Sequence, residues 1–122
     1  MNETSFRFKD PIYEFAIKVV ITEDIKKWDE MYPNAESSDG DCNALFVKLD
    51  GKNSVIIIKP CSPLDDLAHE IGHAARSVMK YIGFKIDFDN DEPLAYYEGY
   101  LTRTIHRKIN NLKPLTKSKK RA

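Results

Sequence analysis

The segment YEFAIKVVI, residues 13–21, places Tyr13, Phe15, Ile17, Val19 and Ile21 at alternate positions. That is the period-two pattern of a strand with one buried face. In TEDIKKWDEMY, Thr22 is placed to cap a helix and acids fill its first turn, which predicts a short helix over residues 23–32. PNAESSDGD, residues 33–41, reads as a loop. NALFVKL and NSVIIIK flank DGKN, which predicts a hairpin with a two-residue turn at Gly51-Lys52.

The period then changes. In SPLDDLAHEIGHAARSVMKYIG, apolar residues at 64, 67, 71, 74, 75, 78 and 82 form a stripe at helical spacing. Ser62 is the candidate N-cap, Pro63 the first helical residue, Asp65 and Asp66 favour the N-terminal turn, and Gly83 supplies the stop. After FKIDFDND, a second long helix is predicted from Pro93 to about Asn110. The order β-α-β-β-α-α predicts an α+β fold, a small antiparallel sheet packed on two long helices.

At 122 residues and 42% hydrophobic content, the chain suits one core, with a domain over residues 1–112 and a basic tail over 113–122. No apolar run approaches the ~20 residues of a membrane span. MNETSFRFKD lacks the apolar core of a signal peptide, so a cytoplasmic location is expected. The zero net charge is uneven. Residues 1–98 hold 11 Lys/Arg against 19 Asp/Glu, a balance of −8, and residues 99–122 hold eight Lys/Arg and no acid, a balance of +8. The end KPLTKSKKRA reads first as a solvated basic tail, with nucleic-acid contact or docking over the acidic body as the other readings.

The chemistry concentrates in HEIGH, residues 69–73. His69 and His73 lie four apart, so a helix projects both imidazoles from one face, the arrangement that grips a single cation. Glu70 beside them can reach a metal-bound water. Neutral imidazoles suit zinc, one ion per chain, and a third protein ligand leaves one open coordination position. Glu92 follows His73 with 18 residues between, and Pro93 after it marks a helix entrance. A glutamate is an uncommon N-cap, so metal ligation explains the choice. Glu98, with 24 residues between, is the competing third ligand. Asp66 lies one turn before His69 and is a candidate to orient it, against the simpler role of complementing the helix dipole.

HEIGH-x18-Glu resembles the gluzincin zinc metallopeptidases. DNDEPLAYYEGY is similar to the second-helix motif NExxAxY of their aminopeptidase-type members, with Asp91 where Asn is usual. Cys42-Asn43-Ala44-Leu45-Phe46 resembles the Asn-Ala edge strand with which such enzymes hold substrate backbone. The likeness covers residues 42–105, and the small size is similar to the minigluzincins and to small HExxH proteins encoded near bacteriophage structural genes. The resemblance implies zinc on His69, His73 and Glu92, Glu70 as general base, and Asn43 and Ala44 as substrate contacts. The oxyanion needs a second donor, for which Tyr96, Tyr97, Tyr100 and His106 are candidates; core aromatics and a surface histidine are their simpler readings.

Cys42 and Cys61 face each other if the turn is Gly51-Lys52, as free thiols in a reducing cytosol, as a disulfide outside it, or with either thiol in a metal role. Three functions follow: a zinc-dependent peptidase acting on a peptide or protein; a catalytically silent zincin-like assembly component, with virion partners if the gene is a phage's; and a metal-free domain with a nucleic-acid-binding tail. No membrane partner is expected.

Overall fold

The structure, a computed structural model, describes residues 3–32, 43–60 and 62–112. Four strands, β1 (Glu3–Lys9), β2 (Ala16–Thr22), β3 (Ala44–Lys48) and β4 (Asn53–Ile58), combine with helices α1 (Ile25–Met31), α2 (Leu64–Tyr81) and α3 (Glu92–Leu112). The sheet order is β1-β2-β4-β3. The fold is α+β, but the sheet is mixed where an antiparallel one was expected: β2 runs parallel to β4, while β1–β2 and β3–β4 are antiparallel.

The strand β4 explains this arrangement. Its Val55-Ile56-Ile57-Ile58 run does not alternate, and all four residues are buried. A strand apolar on both sides belongs in the middle of a sheet covered on both faces. On one face, Phe15, Ile17, Val19, Ala44, Phe46, Ile56 and Ile58 meet the buried stripe of α2 (Leu67, Ile71, Ala74, Ala75, Val78, Met79) and Tyr97, Leu101 and Ile105 of α3. On the other, Val20, Leu45, Val47, Val55 and Ile57 meet Ile25 of α1, with Trp28 beside them.

Several local expectations shift. The β3–β4 turn has three residues, Asp50–Lys52, with Gly51 at φ 63° and the Leu49 N–H donating to Asn53 O at 2.9 Å. Each β3 residue therefore faces a partner one position earlier than a two-residue turn gives, Ala44 opposite Ile58 and Lys48 opposite Ser54. Cys42, Cys61 and the tail 113–122 lie outside the described residues. Thr22 ends β2 as a buried residue, and Asp24 caps α1 by accepting from the Lys27 N–H at 3.2 Å. Ser62 does not cap α2; its hydroxyl donates to Lys59 O at 2.8 Å. Leu64 and Ile82, expected in the core stripe, are exposed because the sheet and α3 cover only the middle of α2. Gly83, at φ 81°, closes α2: its N–H donates to Lys80 O and that of Phe84 to Met79 O, the paired bonds of a Schellman motif.

β1 was not anticipated, although Phe6 and Phe8 alternate with polar residues and both pack on the core. The turn joining it to β2 is organised by Asp10, which has no exposed surface. Asp10 Oδ1 accepts from the N–H groups of Ile12 (2.8 Å), Tyr13 (2.6 Å) and Glu14 (3.2 Å). Its Oδ2 accepts from the Phe15 N–H at 3.1 Å and from the Tyr97 hydroxyl at 2.5 Å. One buried carboxylate thus satisfies four turn amides and ties them to the N-terminal part of α3, holding Glu14 at φ 62° in the process. Burial, and the Asp10 carboxylate to which it donates, push the Tyr97 phenol well above its ordinary pKa.

Tyr97→Phe removes one donor from a buried carboxylate, and the expected loss of unfolding free energy is about 1–3 kcal/mol, read by urea denaturation with an unchanged m-value. A raised phenol pKa means that the folded state holds its proton more tightly than the unfolded chain. This contribution is complete below the unfolded tyrosine pKa of about 10 and is lost as pH rises beyond it. Stability should therefore fall above about pH 10 more steeply in the parent than in Tyr97→Phe.

Candidate metal centre

The rotation of α2 is set by its apolar stripe. With Leu67, Ile71, Ala74, Ala75, Val78 and Met79 turned inward, His69, His73 and Arg76 must look outward, and His69 is exposed and His73 half-buried. The two imidazoles converge, Nε2 to Nε2 at 3.1 Å, with ring centres 4.7 Å apart and planes at 84°. Two nitrogens bound to one tetrahedral zinc at ~2.0–2.1 Å stand about 3.3 Å apart, so this pair needs almost no adjustment to share an ion. Phe46 of β3 lies flat against His73, centroids 6.3 Å apart at 20°, which restricts the ring from the sheet side.

Glu70, beside His69 in sequence, is only 5% exposed. β3, at the sheet edge, begins one residue after Asn43. Asn43 continues the ladder through its carbonyl, which accepts from the Lys59 N–H at 3.0 Å, and its side-chain N–H donates to Asp66 Oδ2 at 3.0 Å. This bond fastens the start of the edge strand to the first turn of α2. Asp66, considered as a support for His69, has Asn43 as its partner instead, and Ala44 is buried beneath.

The two carboxylates considered as third ligand are separated by α3. The Asp91 carbonyl accepts from the Ala95 N–H at 3.0 Å, so Asp91 holds the cap position and Glu92 is an exposed first-turn acid. An acid there is ordinary for the helix dipole, and the capping argument for Glu92 falls away. Glu98 lies six residues further on, about 9 Å along the axis. Its Oε2 is 3.5 Å from the place a Cβ on Gly72 would take, and Arg76 Nη1 is 3.2 Å from the same point. Gly72 directly precedes His73, so Glu98 is the α3 acid that the structure brings against the histidine-bearing helix. Among the described residues, no group of three His, Cys, Asp or Glu side chains converges as a complete metal site.

The candidate oxyanion donors are dispersed. Tyr96 points into water, and Tyr97 is in the core with its hydroxyl taken by Asp10. Tyr100 is half-buried and stacks on Tyr97 at 6.3 Å. His106 is exposed, its Nδ1 3.4 Å from Asn110 Nδ2, and shares a shallow groove of about 600 Å³ with Leu64, Ala95, Glu98 and Thr102. The clue to Asp10, which sequence reasoning passed over, is its position before Pro11 at the end of an alternating segment, a setting in which Asp side chains organise turns.

Gly72→Ala would place its methyl 3.2 Å from Arg76 Nη1, a tight contact that the flexible guanidinium can relieve, and in ordinary contact with Glu98 Oε2. Helix propensity favours the change by about 1 kcal/mol, so a melting temperature equal to or slightly above that of the parent is expected. No family model, no curated protein and no solved structure matches the chain.

Proposed function

We propose that the chain is a zinc-dependent peptidase of gluzincin type, in which His69, His73 and a carboxylate from α3 hold one zinc ion. The observation that carries this reading is the convergence of His69 Nε2 and His73 Nε2 to 3.1 Å on the outer face of α2, beside an edge strand. Two imidazoles and a carboxylate are a donor set suited to zinc. For the carboxylate, the place of Glu98 against Gly72 favours it over Glu92. When bound, zinc supplies Lewis acidity and lowers the pKa of a coordinated water.

The chain's own residues account for the remainder. Glu70, adjacent to His69 and shielded from bulk water, takes the proton of the attacking water and delivers it to the leaving amine. β3 offers its outer edge to an extended peptide, the mode by which a sheet edge adds a strand. The Asn43–Asp66 bond holds that edge in position relative to α2. Of the oxyanion candidates, Tyr100, half-buried against Tyr97, and His106, exposed at the edge of a groove, have hydroxyl or ring nitrogen groups not bound to Asp10.

A second reading, a zincin-like assembly component such as a bacteriophage particle protein, keeps the metal and lacks turnover. It draws support from the dispersal of the oxyanion candidates. No described helix is long and apolar enough to cross a membrane.

The test is zinc content and hydrolysis of a casein peptide mixture by the purified chain. One zinc per chain is expected, weakened at least about tenfold in His73→Ala and Glu98→Ala and little changed in Glu92→Ala. Glu70→Gln should retain the metal and lose about 10²–10⁴ in rate. Metal binding with no hydrolysis in the parent leaves the assembly reading; no metal binding in the parent removes both.

A further inference from the structure

The connection between α2 and α3 shows an unusual surface. Tyr81, Ile82, Ile86 and Phe88 are all exposed large apolar residues within eight positions, and the Phe88 ring lies wholly in water. They alternate with acids: residues 81–92 contain Asp87, Asp89, Asp91 and Glu92 against Lys85 alone, four negative charges and one positive. The loop is not loosely draped. Asp87 Oδ1 accepts from the Asp89 N–H at 3.0 Å, Asp87 O from the Asn90 N–H at 3.0 Å, and Lys85 O from Asn90 Nδ2 at 3.2 Å. These bonds fix a turn with Phe88 at its tip.

A surface that is apolar and acidic together fits a partner segment that is basic with an apolar residue. Such a segment is present in the same chain. Residues 113–122, KPLTKSKKRA, carry Lys113, Lys117, Lys119, Lys120 and Arg121, no acid, and Leu115. The charge separation between residues 1–98 at −8 and residues 99–122 at +8 has the same sense. The segment starts at the end of α3 remote from the loop, and Leu115, three residues past Leu112, reaches at most about 11 Å, too short to meet Phe88 of its own chain. Twenty steps from Glu92 to Leu112 span about 30 Å of helix. Lys117, five residues past Leu112, reaches at most about 18 Å even if fully extended, and Lys120 at most about 28 Å.

We propose that the α2–α3 loop is the docking site for the basic segment 113–122 of a second copy of this chain. Phe88 and Ile86 provide the apolar contact, and Asp87, Asp89, Asp91 and Glu92 pair with the lysines. Because loop and segment are different surfaces, the contact is head-to-tail: each copy offers one of each, and association continues into a ring or a short filament. Charge attraction of this kind weakens as salt shortens the Debye length from about 30 Å at 0.01 M to about 3 Å at 1 M.

The experiment is sedimentation velocity on the full chain over a concentration series at about 0.01 M and about 1 M salt. Concentration-dependent association at low salt, reversed at high salt, is expected. Phe88→Ser and, as a second loop variant, Asp89→Lys should each weaken it at least tenfold, as should Lys117→Gln/Lys119→Gln/Lys120→Gln. All these positions are exposed or lie beyond α3, and the thermal transition of each variant checks that the fold is intact. A loop variant mixed with the tail variant should form a dimer and nothing larger, since one complementary pair of surfaces survives. A parent chain that stays monomeric at low salt, a tail variant that associates as the parent does, or a mixture that gives no dimer would each overturn the proposal.

Discussion

The carboxylate of Asp10 is the constraint on which the arrangement of helices depends. Five donors, four from the backbone of one turn and one from Tyr97, converge on a group with no exposure to water. A buried carboxylate is tolerated only where its acceptor sites are filled, so this geometry admits little slack. Because Tyr97 donates from the second turn of α3, the bond fixes how that helix is rotated about its axis. Glu98 is the next residue, about 100° further round, and is turned to Gly72 of α2 as a consequence. The rotation of α3 thus determines which of its acids lies beside Gly72 of α2.

The second determinant is the division of α2 into two faces. Six buried apolar residues anchor it to the sheet and α3, and the same rotation leaves His69 and His73 directed outward with Phe46 restricting one ring. Glu70 falls at the boundary and is drawn inward. The two imidazoles meet on the outward face, Nε2 to Nε2 at 3.1 Å, and His73 is partly buried against Phe46.

These features were unequally readable in the sequence. The four-residue spacing of the histidines and the apolar period of α2 carry their geometry directly, because both depend on one helix. The placing of the α3 acids does not, because it depends on how a second helix is rotated against the first. α2 stops where Gly83 signals, so the stop does not decide the matter; the rotation of α3 does, and it puts Glu98 beside Gly72. The sheet was legible in its strands and not in its order. VIII in β4 signals a central strand, but nothing local states that β2 lies parallel beside it. The three-residue turn at Asp50–Lys52 could not be told from a two-residue one, since either places Gly51 at positive φ. β1 carries only two apolar residues, Phe6 and Phe8, among polar ones, which made its alternation easy to miss.

The central claim is that His69, His73 and an α3 carboxylate form one metal centre, with Glu98 as that carboxylate. Anomalous diffraction at the zinc edge from crystals grown with zinc tests it most directly. The account predicts a single strong peak between His69 Nε2 and His73 Nε2, with Glu98 turned towards it and Glu92 apart. A peak elsewhere, or none at this pair when zinc is in excess, would contradict it.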